Sequence, residues 1–166
     1  GDDNMGFFTP KLSQIQKQIV QNKMKQLYDC DKLVHSTVKP DVFFGRLNFM
    51  LDILLDLKSY EKYKIFDKVT PTENYKKILS ELESLVNDFI DRAVADNQKK
   101  VAALKTEKGK KSKELKFVES LISAFDCANS FWSGEKMIPH HDGPLFTENN
   151  YNRVKRLFDA TYEKYI

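Results

Sequence analysis

Asp31 and His35 stand four residues apart, which on a helix puts both on one face, and Cys30 adjoins that face. Such a trio could ligate a metal ion, or Cys30 and His35 could act as a weak thiol–imidazole pair. No second Cys/His cluster at ligand spacing accompanies it. Cys30 also falls at the centre of an apolar stripe, where a thiol packs as a small hydrophobe. A further histidine group, His140-His141-Asp142-Gly143, lies between Pro139 and Pro144. Neighbouring side chains on extended backbone point opposite ways, so His140 and His141 do not readily chelate one ion together. A polar, turn-rich loop is the plainer reading there, and metal binding the alternative.

Arg46 is the other outlier. Over Val42 to Leu57 the polar residues Gly45, Asn48, Asp52 and Asp56 share one narrow helical arc. The rest form an apolar arc of about 240°, far wider than the ~100° stripe of a surface helix. Arg46 lies inside it, between Phe49, Met50 and Ile53. A guanidinium so placed must be paired, must bond helix-end carbonyls, or must snorkel along its own stem. Asp31 is the expected partner; Asp88 and Asp91 are placed less well. The functional reading makes Arg46 an anion-binding arginine facing a cleft.

No glycine-rich phosphate loop, G-x-S-x-G elbow, C-x-x-C pair, H-E-x-x-H helix or calcium loop occurs. No cofactor is expected, and a catalytic constellation is not the expected reading. One charge run stands out. From Lys99 to Lys116 eight lysines face Glu107 and Glu114, a net +6 that includes Lys105, Lys108, Lys110 and Lys111. It could touch nucleic acid or an anionic membrane surface. It holds no arginine, and its aromatics begin only at Phe117, so base stacking has little to work with and a nucleic-acid partner is not expected. A solvated tip between two long helices is the simpler reading.

Every segment between the Pro and Gly marks reads with helical period, and none with strand alternation. Thr9-Pro10 can open a first helix with the stripe Leu12, Ile15, Ile19, Val20, Leu27, Cys30, Leu33 and Val34, ending near Thr37 ahead of Pro40. The second helix runs from Asp41 to about Lys64. Thr70-Pro71-Thr72-Glu73 is a capping box that starts a third, extending to Leu104. A fourth runs from about Ser112 towards Trp132 and Gly134, and a last one follows Thr147. The architecture expected is all-α: about five helices in a mostly antiparallel bundle, the second helix central.

With 166 residues, 41% hydrophobic and 12% aromatic, the chain can bury a core, which excludes a disordered polymer. Two cysteines cannot staple a fold of this size, and they suit a reducing cytoplasm. The net charge of +3 commits the chain to no polyanionic partner. Residues 1–9 read as a purification-tag remnant and flexible N-terminus, and 10–166 as one helical domain. Met5-Gly6 is no myristoylation signal, because Pro10 stands where Ser or Thr is required. No apolar run is long enough for a transmembrane helix.

Asp29-Cys30-Asp31-Lys32-Leu33-Val34, then Pro40 with Phe43-Phe44-Gly45-Arg46, together with Asn87-Asp88-Phe89-Ile90-Asp91-Arg92 and Leu104-Lys105-Thr106-Glu107-Lys108, resemble a helical module in hypothetical proteins of Gram-positive bacteria and their phages. The resemblance spans about Leu27 to Phe125 and implies no activity, only a module often appended to other domains. The segment from Ala128 to Phe146 does not fit it. Trp132, Met137, Ile138, Leu145 and Phe146 there would form an apolar contact set for a partner if exposed, or satellite core if packed beneath their loop. The function expected is a non-enzymatic interaction or accessory domain, docking another protein or an upstream domain of the same chain. The alternatives are a metal- or anion-binding protein or enzyme using Asp31, His35 and Arg46, and polyanion binding through the lysine tip.

Overall fold

The computed structural model describes residues 11–66, 68–131 and 147–166, and among these every regular element is helical. Helix α1 spans Gln14–Val34, α2 Pro40–Lys58, α3 Pro71–Ala102, α4 Glu107–Ser130 and α5 Glu148–Tyr165, with a single 3-10 turn at Glu61–Tyr63. The all-α bundle is thus as expected, and several of its boundaries are not.

Local chemistry sets each start. Ser13, rather than Thr9, caps α1: its hydroxyl accepts from the Gln16 N–H at 3.2 Å, and Gln16 Oε1 accepts from the Ser13 N–H at 2.9 Å. Thr9 and Pro10 lie outside the described residues. Thr70 and Glu73 form the expected box at α3, reinforced by Glu61, whose carboxylate accepts from the Thr72 N–H at 2.5 Å. Helix α4 begins at a Thr106 cap on the Gly109 N–H, five residues before the start expected at Ser112. Thr147 caps α5. Helix α2 ends at Lys58, short of Lys64, and the chain reverses through the 3-10 turn, where Lys64 takes a left-handed conformation with φ 54°.

Helix α2 is the hub, packed against α1, α3 and α4, while α5 lies on α4 and touches α3. Phe43 stacks on Phe89 of α3 at 4.1 Å and 5°, and Phe44 meets Phe89 and Phe125 of α4 edge-on at 5.9 and 5.7 Å. Leu47, Leu51 and Leu54 continue this core along α2. A smaller cluster of Leu12, Val20, Ile53 and Leu57 closes the lower end. Phe49, expected inside the apolar arc, is exposed instead, because it falls on the arc of α2 that carries Gly45 and Asp56 outwards.

Lys23 reaches Asp56 at 3.0 Å near the foot of α1, and the Cys30 thiol donates to the Arg46 carbonyl at 3.3 Å higher up, so α1 and α2 run antiparallel. Helix α5 runs alongside α3: Asn149 meets Glu83, and Arg153 meets Asn87 and Asp91.

Candidate functional site: a groove between α1 and α3

The residues singled out from the sequence divide among three places. Arg46 is half-buried and donates to the Thr37 hydroxyl, which itself donates to the Leu33 carbonyl at 2.6 Å. The pair expected with Asp31 is not the one made. Asp31 turns to His35 at 3.7 Å, both side chains more than half exposed. The helix-end carbonyls are satisfied by a different arginine. Arg92 of α3 donates to the Val34 carbonyl at 3.0 Å and to the Thr37 carbonyl at 3.3 Å. Two guanidinium groups therefore converge on the short α1–α2 connection and tie α1, α2 and α3 together.

Cys30 belongs to this joint too. Burial pushes its thiol above the ordinary range, outweighing the Arg46 charge that favours thiolate. A neutral thiol donating to a backbone carbonyl is a packing group, and it does not make the thiol–imidazole pair with His35 considered from spacing. Among the described residues no three His, Cys, Asp or Glu side chains gather closely enough to hold a metal ion. His140, His141, Trp132, Met137, Ile138, Leu145 and Phe146 lie outside the described residues.

Below the Arg92 joint the molecule opens. Helices α1 and α3 both lean on α2, and between them lies a groove of about 520 Å³. Leu47, Met50, Leu54 and Leu57 of α2 form its floor. Met24, Leu27 and Tyr28 wall it on α1, and Ile78 and Leu85 on α3, with Phe66, Val69 and Pro71 at the lower end. Asp31 and His35 stand on the α1 rim, opposite Lys77 and Glu81 on the α3 rim. The Asp31–His35 pair that spacing suggested as a metal site is thus the polar edge of an apolar trough.

The exposure of the α1 wall is what marks the trough as a surface of interest. Tyr28 is 62% exposed and Met24 is 40% exposed, although both face other apolar side chains across the groove. Lys32 lies over the Tyr28 ring at 4.4 Å and holds it from the outer side. The sequence did carry a signal. Met24 and Tyr28 lie off the α1 stripe, on the flank next to Asp31 and His35. Arg92 had no comparable signal, since its partners are backbone carbonyls far away in the chain.

Compared with models of protein families, with curated proteins and with solved structures, the chain matches none of them.

Proposed function

We propose that this chain is a non-enzymatic interaction module whose groove between α1 and α3 receives an amphipathic helix of a partner protein or of an adjoining domain. The observation that carries this reading is the groove itself: a continuous apolar floor running about three helical turns along α2, from Leu47 to Leu57, with charged rims on both sides. A guest helix presents anchors at i, i+3 or i+4, and i+7 over that length. Met24 and Met50 give the walls a polarizable, adaptable lining. The rims, Asp31 and His35 facing Lys77 and Glu81, offer both signs of charge to the polar flanks of the guest. The two free thiols, one buried in the joint, suit a reducing, cytoplasmic setting.

Kinship with the helical module of Gram-positive bacteria and phages belongs to the same proposal. Its support is the four similar stretches of sequence; in the fold three of them lie together, through Cys30, Arg46, Phe43, Phe89 and Arg92.

Selection of displayed helical peptides on the immobilised protein tests the reading. The enriched peptides are expected to share apolar anchors at helical spacing. They are expected to lose affinity by about ten-fold or more when Met24→Glu and Ile78→Glu place carboxylates on the two walls. Selection of no such pattern, or equal binding to both proteins, overturns it.

A further inference from the structure

The eight lysines between Lys99 and Lys116 are gathered by the fold at one end of the molecule. Helix α3 continues for about 15 Å past Arg92, its tie to α1. With the start of α4 it makes a hairpin that stands clear of the α1–α2 connection. The apex is Ala102-Ala103-Leu104-Lys105, all exposed, Leu104 at 38%. Of the acids in and beside the hairpin, Asp96 is taken by Lys100 at 2.8 Å and Glu114 by Lys164 of α5 at 3.3 Å. Glu107, in the first turn of α4, is the acid nearest the apex. Lys99, Lys105, Lys108 and Lys111 are exposed around it, and Lys116 is exposed further along α4. The stretch carries +6 while the remaining residues carry −3, so positive charge is concentrated on this projection.

We propose that the α3–α4 hairpin tip docks on the surface of a bilayer containing anionic lipids. Lys105, Lys108 and Lys111, within about one turn of the apex, can come together within a Debye length, about 8 Å, of a flat negative surface. Leu104, set among them, is the side chain that enters the interfacial layer. No helix among the described residues is long and apolar enough to cross a membrane, so this contact is peripheral. Lipid fits better than nucleic acid for reasons of chemistry. The tip has no arginine to fork onto base edges, and the first aromatic along α4, Phe117, is half-buried against the core instead of offering a stacking face. An exposed leucine at the apex gains nothing from phosphates and gains from an apolar layer.

Co-sedimentation of the full chain with vesicles tests this, comparing phosphatidylcholine mixed with phosphatidylserine against phosphatidylcholine alone. Retention is expected only on the mixed vesicles, with release by raised salt. Lys105→Glu combined with Lys108→Glu and Lys111→Glu is expected to lower partitioning on the order of 100-fold, at roughly five-fold or more per lysine. The corresponding triple glutamine variant serves as a charge-neutral check whose fold is verified by circular dichroism. Leu104→Ser is expected to weaken binding while leaving its salt dependence unchanged. Vesicle retention unaffected by the lysine variants overturns the proposal. So does failure to bind mixed vesicles, whether or not the protein retains labelled single-stranded or duplex oligonucleotides; such retention would mark the tip as a nucleic-acid contact instead.

Discussion

Thr37 serves three groups at once: its hydroxyl accepts from Arg46 and donates to Leu33, and its carbonyl accepts from Arg92. Thr37→Val keeps the shape and removes the hydroxyl that Arg46 donates to, while the Leu33 carbonyl keeps its Ser36 donors, a change expected to cost about 1–3 kcal/mol in urea denaturation. Tyr75 presents the opposite case. Its ring is buried but its hydroxyl finds no hydrogen-bond partner among the described residues, and its pKa is pushed up to about 12, first by burial and then by the Asp52 charge. Because burial penalises the phenolate and holds the folded pKa above the unfolded value, about 10, its ionisation leaves stability unchanged below pH 10 and lowers it as pH rises towards 12. Tyr75→Phe is therefore expected to be neutral or stabilising by about 1 kcal/mol at pH 7. Between pH 10 and 12 the variant should also lose less stability than the parent. Paired urea melts at neutral and alkaline pH decide both points.

Helix α1 rests chiefly on α2, and the Arg92 hydrogen bonds tie only its C-terminal end to α3. Val20, Cys30 and Val34 are the buried residues of α1, while Ile15 is 73% exposed and Ile19, Met24, Tyr28 and Leu33 are open to solvent as well. An element with few buried contacts opens before the whole molecule does. Native-state hydrogen exchange is expected to show the middle of α1 opening at lower free energy than α3 around Val86 to Ala93. Equal protection of the two would refute this. Ser13→Ala is expected to lower stability by about 0.5–2 kcal/mol, with the effect on exchange confined to α1.

Chain pattern and tertiary context contributed unequally here. Thr70-Pro71-Thr72-Glu73 announces α3 because its whole cap is local. The α4 start was hidden because Lys108-Gly109 looks like a breaker, whereas Gly109 sits in the first turn and lends its N–H to Thr106. An apolar stripe tells which residues want cover, not which ones find it. That is why the α1 stripe includes Ile15, Ile19 and Leu33, which stand open, and why the helix forms one wall of a groove. Arg46 could be recognised as needing partners, but the choice between Asp31 and Thr37 depends on how α1 ends, and that is settled by Arg92 from a distant helix.

For the molecule as a unit, the aromatic contacts of Phe89 join α2 to α3 and lie at the centre of the larger core. Phe89→Ala is expected to cost about 3–5 kcal/mol and to lower the thermal midpoint of the entire domain. Ile15→Gln, on an open flank, is expected to stay within about 0.5 kcal/mol. The same α3 that supplies Phe89 also supplies Ile78 to the groove and leads into Leu104 at the apex. From Ile78 to Ala102, where the helix ends beside the apex, the rise is about 36 Å. Helix α3 is thus a rigid spacer: a guest seated against Ile78 is held off whatever surface the tip touches by a fixed distance. Inserting whole helical turns in α3 and α4 together would lengthen that standoff while leaving both contact surfaces intact.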